Sequence, residues 1–298
     1  MTENTRQEEK VEVADTIYLA ALKDILETGE TRQTRNGNTI SKFGIKLDFD
    51  VSESFPLLTT KKVFWKGVVQ ELLWFLQAET NSKILEDEDV NIWKGNSSRE
   101  YLDSVGLNNL EEGDCGPIYG FQWRHFNAPY DQWWGDYEGQ GIDQLQEIID
   151  QIQTNPFSRR LFMSAWNPCQ IKEMCLPPCH VSYQFYVSND SKELSCIMYQ
   201  RSGDMFLGIP FNIASTTLLL YIIAKMTDTK PGKVSIVIGD AHIYEDHIDQ
   251  VKVQLERIPY PLPQVNICEK REKIEDYIPE DIELINYVSH PTIKAKML

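Results

Sequence analysis

The segment Leu176-Pro177-Pro178-Cys179-His180 combines the residue types of a rigidly held nucleophile. Proline fixes its own φ angle and biases the residue before it toward extended backbone, so we expect Cys179 on a stiff turn. The apolar alternation over residues 181 to 187 predicts a buried strand immediately after it. A thiol aimed in this way suits nucleophilic catalysis, although a lone cysteine is also typical of a buried structural residue.

Two further uses of this thiol are open. Cys175, Cys179 and His180 could hold a metal, but the intervening prolines hinder wrapping around an ion and no second ligand pair is evident. A cysteine hydrolase would need a histidine base. His180 adjoins Cys179, and strand neighbours point to opposite faces, which disfavours that pairing. We therefore expect no metal and no hydrolase relay.

Composition narrows the class of protein. The chain has 298 residues, a formal net charge of −16 and 42% hydrophobic residues. A strongly acidic field repels phosphate backbones, so nucleic acid is disfavoured as the main partner. A phosphate-ester substrate would require the few arginines to be concentrated locally. The six scattered cysteines, together with the expectation that no apolar run approaches the length of a membrane span, predict an intracellular protein with reduced thiols, in the cytoplasm or also the nucleus.

Periodicity predicts one α+β domain over residues 14 to 298, preceded by a disordered acidic tail at residues 1 to 13. Apolar spacing predicts helices at 14–26, 61–76, 140–152, 211–226 and 241–255, and strands at 40–49, 160–166, 181–187, 194–200 and 234–238. Residues 32 to 39 are polar and typical of a turn, and residues 95 to 139 have no clean period. A loop of that length is usually functional.

Several polar groups lie where an ordinary core would not place them. Glu71 falls on the apolar face of a helix, where a carboxylate is costly unless paired or functional. Arg159 and Arg160 open a strand, and Asn212 starts an apolar helix. The alternatives are a helix-surface glutamate, a solvated strand end and a helix N-cap, respectively.

Taken together, these residues resemble the thymidylate synthase family in collinear order over roughly residues 14 to 298. The matching segments are 55–62, 64–67, 71–76, 116–124, 164–168, 176–180, 184–187, 199–204, 210–215, 239–244 and 290–294. The resemblance implies a single α+β domain with a large mixed β-sheet flanked by helices, one sheet face forming a homodimer interface. It also implies conversion of dUMP to dTMP with 5,10-methylenetetrahydrofolate as carbon and hydride donor. Because the pattern uses nearly the whole length, we expect no fused reductase domain.

The resemblance implies four catalytic residues. Cys179 would add to C6 of dUMP, and Asn212 would bind the uracil edge at N3 and O4. Glu71 would organise water and shuttle protons near O4 and the folate, while Tyr119 would help to remove the C5 proton.

The resemblance also implies a substrate site shared between two subunits. Arg159 and Arg160 of one subunit would reach the phosphate bound by its partner. Arg35 is the choice within a shortened phosphate loop, with Arg32 as the weaker candidate. The remaining implied substrate residues are Gln200, Arg201, Ser202, Asp204, His242 and Tyr244.

The implied folate slot is flat and apolar, with Asp204 as its polar anchor. Its lining residues are Ile92, Trp93, Leu207, Gly208 and Leu298. The chain end departs from the family, because Ala295 and Lys296 replace part of the apolar lid. Loose closure would admit water and give a dUMP 5-hydroxymethylase, whereas Trp93 favours the methyl product. A non-catalytic nucleic-acid-binding paralogue is the remaining alternative.

Overall fold

The computed structural model describes residues 13–34, 36–190 and 192–297. The predicted acidic tail therefore lies outside the described residues, except that Val13 already begins the first helix. Arg35 and Leu298, two of the predicted site residues, also lie outside them.

Eight strands lie within the described residues. In chain order they are β1 (Glu30–Thr34), β2 (Gly37–Asp50), β3 (Phe162–Ser164), β4 (His180–Val187), β5 (Glu193–Asp204), β6 (Lys230–Tyr244), β7 (Gln264–Ile267) and β8 (Ile282–Ile285). The first six form one sheet in the order β1-β2-β6-β5-β4-β3, and β7 and β8 form a separate hairpin. Strands β5 and β6 are parallel and the other pairs are antiparallel, so the sheet is mixed, as predicted.

The helices of the described residues flank this sheet. They are α1 (Val13–Thr28), α2 (Trp65–Leu76), α3 (Lys83–Asp87), α4 (Arg99–Ser104), α5 (Tyr119–Arg124), α6 (Gln144–Thr154), α7 (Gly208–Thr227) and α8 (Ile248–Leu255). Short 3₁₀ turns lie at Ile171–Glu173, Glu245–His247, Ile274–Asp276 and Pro279–Asp281. The predicted α+β class is confirmed.

The two faces of the sheet differ in exposure. On one face, alternate residues of β4, β5 and β6 are buried against α7 and the rest of the core. The opposite face leaves large apolar side chains in contact with solvent. Phe43, Phe162, Tyr186, Ile197 and Tyr199 all belong to this set. Such a surface is typical of an interface with another protein.

Three predicted elements were wrong in extent. Residues 30 to 41 form the hairpin β1–β2, with Thr34 paired to Gly37, although none of the β1 side chains is buried and so none gives an apolar signal. Strand β6 continues to Tyr244, so the helix predicted from residue 241 begins only at Ile248. The stretch from 95 to 139 contains α4 and α5, which are too short to show a helical period.

Helix α7 corrects a further expectation. By length and composition alone it could cross a membrane, and 78% of its most apolar 18-residue window is buried inside the protein. A core helix passes the same test, because it is apolar on all sides.

A buried carboxylate joins the N-terminal helix to the rest of the fold. Asp15 of α1 accepts hydrogen bonds from the backbone N–H and the hydroxyl of both Thr59 and Thr60, at 2.8–3.1 Å. Thr59 O in turn accepts from the backbone N–H of His290, and Thr60 O accepts from Arg257. The base of the C-terminal segment is therefore fixed to the same point.

Candidate active site

The Pro-Pro-Cys turn places Cys179 directly before β4 and beside Arg201 of β5. The backbone N–H of Cys179 donates to the Tyr119 hydroxyl at 2.8 Å, and its carbonyl accepts from the backbone N–H of Arg201 at 3.0 Å. Arg201 Nη2 lies 3.6 Å from the Cys179 sulfur. The thiol is thus held from both sides, by a tyrosine and by a cation.

The prolines have a second use that the sequence pattern did not predict. Arg201 donates Nε–H to the Pro178 carbonyl at 2.8 Å and Nη2–H to the Pro177 carbonyl at 2.7 Å. These two bonds aim the guanidinium at the sulfur. Burial raises the pKa of the Cys179 thiol above its usual value, while the Arg201 charge and the Tyr119 hydrogen bond lower it.

The metal and hydrolase alternatives find no support in this arrangement. Cys175 is buried and its backbone N–H donates to the Cys115 carbonyl at 3.0 Å. His180 is buried and bonds to Asn212, and burial lowers the pKa of its imidazole to about 4. No group of three or more histidine, cysteine or acidic side chains suited to a metal occurs in the part of the chain described.

Asn212 belongs to a short polar network at the start of α7. Gln200 Nε2 donates to Asn212 Oδ1 at 3.0 Å and to the Ser202 carbonyl at 3.0 Å. Helix α7 begins at Gly208, so Asn212 lies one turn inside it and is not the N-cap. Its amide is fixed in orientation by Gln200 and His180, which prepares it for a planar ligand edge.

Glu71 is buried in α2, on its apolar face, as predicted. Trp93 Nε1–H donates to Glu71 Oε1 at 2.8 Å. Burial raises the pKa of the Glu71 carboxyl to about 7, and the Trp93 bond opposes that rise. The Trp93 and Tyr119 rings are in edge contact at 5.9 Å, so the carboxyl group is connected through aromatic side chains to the cysteine.

Tyr119 owes its position to a glycine. A Cβ atom on Gly120 would lie 2.3 Å from the Phe75 carbonyl oxygen, so only glycine lets α5 approach α2 this closely. The Tyr119 and Phe75 rings then pack at 4.9 Å.

The predicted phosphate arginines are not brought together within one chain. Arg159 and Arg160 do not open a strand as predicted: they are exposed in the turn before β3, which begins only at Phe162, and among the described residues neither is bonded to Arg201. Arg32 forms a 2.7 Å ion pair with Asp240. Arg35, the preferred candidate in the phosphate loop, lies outside the described residues.

The ends of β5 and β6 gather the predicted ribose and folate residues. Ser202 pairs with Asp240, and Asp204 pairs with His242, in the parallel register. A cavity of about 160 Å³ lies here, and its lining includes Ser202, His242 and Tyr244. A larger cavity, of about 490 Å³, lies elsewhere and is lined by none of the predicted site residues.

The predicted folate slot contains a polar anchor, Asp204, and open backbone at Gly208. Asp204 Oδ1 accepts from the backbone N–H groups of Phe206 and Leu207, at 2.8 and 3.2 Å, which leaves Oδ2 for a ligand. A Cβ atom on Gly208 would meet nothing closer than 3.6 Å, so the backbone there is open to a flat ligand. Trp93 is buried and Ile92 packs partly against the core.

Two residues near this slot were not predicted to have a role. The Lys61 ammonium donates to the Phe206 carbonyl and lies 3.6 Å from the Phe206 ring centroid. Burial lowers its pKa to about 7, while Asp204 opposes that change. His247 is fully buried and contacts the rings of Phe206 and Tyr244. Neither residue could be singled out from the sequence. A polar residue is conspicuous in an apolar stretch, but Lys61 and His247 both lie among charged neighbours.

Proteins similar in sequence to this chain support the resemblance. A human thymidylate synthase is 53% identical over 281 residues, covering 94% of this chain and 89% of the relative. Bifunctional dihydrofolate reductase-thymidylate synthases from Leishmania major and maize are each 51% identical, over 282 and 281 residues, and cover 94% of this chain. The chain spans 54% of the length of those two bifunctional relatives.

The family model described as thymidylate synthase matches residues 16–298, which include the cysteine turn, the Gln200–Asn212 network and the Glu71–Trp93 pair. With the fold, the site geometry and the relatives in agreement, the chain belongs to the thymidylate synthase family.

Proposed function

We propose that this protein catalyses the reductive methylation of dUMP to dTMP, with 5,10-methylenetetrahydrofolate as co-substrate and dihydrofolate as second product. The observation that carries the proposal is the Cys179 thiol, held 3.6 Å from a guanidinium that two proline carbonyls fix in place. The surrounding residues match the demands of the reaction in turn.

Cys179 supplies the nucleophile for C6 of the pyrimidine. Only the thiolate attacks, and Arg201 stabilises that form by its charge. Burial acts in the opposite direction and raises the pKa of the thiol. The phosphate of the nucleotide would bind the Arg201 guanidinium beside Ser202.

Asn212 selects the base. An amide can donate to O4 and accept from N3–H, which fits uracil and not cytosine. Gln200 occupies Asn212 Oδ1 with one hydrogen bond at 3.0 Å, and a carbonyl oxygen has a second lone pair for N3–H. His242 and Tyr244, whose rings are in edge contact at 5.1 Å, line the cavity assigned to the ribose.

Glu71 moves protons at the far side of the base. A carboxyl group whose pKa is about 7 can both donate and accept a proton near neutral pH. Trp93 holds one oxygen of this group, which leaves the other for proton exchange with a ligand or water. Tyr119, whose pKa is raised well above its usual value by burial, remains protonated and acts through its hydroxyl.

The residues around Asp204 fit a reduced folate. Asp204 Oδ2 can accept from the pterin, the open backbone at Gly208 admits a flat ring, and Trp93 and Leu207 supply apolar surface. When bound, methylenetetrahydrofolate supplies the one-carbon unit and the hydride. The protein orients it and excludes water.

The exposed apolar sheet face supports a homodimer. Phe43 and Tyr186 are 85% and 67% exposed in the isolated chain, which is costly for a stable monomer. In such a dimer Arg159 and Arg160 would reach the phosphate bound by the partner. Six free cysteines within the described residues support a reducing compartment, and we propose the cytoplasm.

The shared site has its own test. Arg160→Ala and Cys179→Ala should each be inactive, and a mixture of the two should regain activity, because some heterodimers contain one intact site. Mixing after denaturation and refolding, with each variant refolded alone as control, measures the regain. Absence of rescue, with heterodimers present by mass spectrometry, would refute a shared site.

The function itself is tested with purified protein, dUMP and methylenetetrahydrofolate. We expect dihydrofolate, followed near 340 nm, and dTMP, identified by mass. Formation of 5-hydroxymethyl-dUMP without dihydrofolate would indicate the hydroxymethylase instead. No product at all, together with salt-sensitive RNA binding, would indicate the nucleic-acid-binding alternative.

A further inference from the structure

A buried histidine outside the predicted site contacts three of its parts. His247 lies in the 3₁₀ turn between β6 and α8 and is 0% exposed. Its ring centroid is 5.5 Å from that of Phe206, which follows the Asp204 anchor, and 5.6 Å from that of Tyr244, which lines the ribose cavity. The third contact is with the C-terminal segment.

The imidazole holds the C-terminal segment near its tip. His247 Nε2 lies 2.8 Å from the Lys296 carbonyl oxygen. A carbonyl oxygen only accepts, so Nε2 must carry the proton and donate it. Because the acceptor is a backbone oxygen, this contact does not depend on the side chain at position 296, where the sequence departs from the family.

The segment is fixed at its base and at this one point beyond it. His290 and Pro291 are held by hydrogen bonds to Thr59, Ile258 and Arg257. Between Pro291 and Lys296, Ile293 and Ala295 pack partly against the core. Within residues 292 to 297, the bond to His247 is the side-chain hydrogen bond that the structure describes.

The other ring nitrogen faces the folate anchor. His247 Nδ1 is buried without a hydrogen bond among the described residues, and it lies 4.0 Å from Asp204 Oδ1. A buried polar atom without a partner is costly, and its cost is tolerated where a ligand or a water completes the site. The ring that holds Lys296 therefore also lies beside the predicted folate anchor, where a ligand on Asp204 would change its surroundings.

We propose that His247 is a positioning residue that couples occupancy of the Asp204 anchor to docking of the C-terminal segment. It touches neither substrate nor reacting atoms, and it acts through Lys296 and Asp204. The role rests on the proposed function only in assigning folate to Asp204; the docking contact itself stands apart from it.

Docking is measured first without any substrate. Carboxypeptidase digestion of the full-length protein, followed by mass spectrometry, should slow after removal of residues 298 and 297, because Lys296 is held by His247. His247→Ala should release Lys296 about five- to tenfold faster, the effect of losing one hydrogen bond. His247→Gln, which keeps an N–H donor near the position of Nε2, should restore the slow rate. Equal release in all three proteins would overturn the docking role, whatever the protein catalyses.

Coupling is measured next by kinetics. His247→Ala should raise KM for methylenetetrahydrofolate about five- to tenfold and increase the fraction of 5-hydroxymethyl-dUMP, while dUMP binding measured by calorimetry stays unchanged. Deletion of residues 296–298 should have similar effects, and His247→Ala should add nothing in that background. Additive effects would overturn the coupling, and weakened dUMP binding would indicate a merely structural histidine. His247→Gln is the control for loss of the fold, because it keeps an N–H donor and should behave like wild type in both measurements.

Discussion

The buried carboxyl of Glu71 makes the pH dependence of stability testable. Its pKa is about 7 in the folded protein and 4.5 as its ordinary value, which we take for the unfolded chain. Because the folded state holds the proton more tightly, unfolding releases it between these two pH values. The free energy of unfolding therefore falls as pH rises from 4.5 to 7, and this contribution is constant above that range.

The magnitude follows from the pKa difference. At about 1.4 kcal/mol per pKa unit, ionised Glu71 costs the folded state about 3 kcal/mol at high pH. Part of that cost is already present at pH 5, so the change between pH 5 and pH 8 is about 2 kcal/mol. Glu71→Gln removes the titration and keeps an oxygen that can accept from Trp93. We expect the difference in unfolding free energy between Glu71→Gln and wild type to rise by about 2 kcal/mol in favour of the variant.

The assay is urea unfolding at a fixed protein concentration, at several pH values from 5 to 8, without ligands. Glu147→Gln is the matched control, because it removes a glutamate from an exposed position of α6. The difference in unfolding free energy between Glu147→Gln and wild type gives the effect of removing an exposed carboxylate. If the Glu71→Gln difference is the same at pH 5 and pH 8, Glu71 does not carry the raised pKa and the proton-transfer role loses its basis.

Three further predictions concern the cysteine turn and the base site. Cys179→Ser should lower kcat by at least about a thousandfold while dUMP binding, measured by calorimetry, is largely kept; retained turnover would exclude Cys179 as nucleophile. Arg201→Lys keeps a charge but loses the paired bonds to the proline carbonyls, so the pH midpoint for alkylation of Cys179, followed by peptide mapping, should rise; an unchanged midpoint would separate Arg201 from the thiol. Asn212→Asp should shift kcat/KM from dUMP toward dCMP, and an unaltered ratio would contradict the base contact.

Much of the fold was readable from apolar periodicity. The buried strands and the long core helix follow it, as Val234 to Ile238 and the run of α7 illustrate. The β1–β2 hairpin was not readable, because its first strand is exposed along its whole length and is held by backbone pairing. The end of β6 was missed because Ala241 to Tyr244 combine small, polar and aromatic residues that also suit a helix.

For the site, the sequence predicted which residues take part but not the contacts between them. Glu71 could be singled out from the sequence, because an acid on an apolar helix face is unusual. The bonds from Arg201 to the proline carbonyls could not, since they depend on how β5 lies against the turn. His247 gave no signal, because its partners are a backbone oxygen and a carboxylate more than 40 positions away in sequence.

The order of the central strands has a consequence for synthesis of the chain. Strand β2 lies beside β6, and Arg32 pairs with Asp240, 208 positions later. A ribosome releases the N-terminal half first, so β2 must wait with an unpaired edge until β6 emerges. Non-local pairing of this kind folds slowly and exposes a template for aggregation. The nascent protein should therefore depend on chaperones until β6 has emerged, which is after Tyr119 and Arg201, the partners of the cysteine turn, have been synthesised.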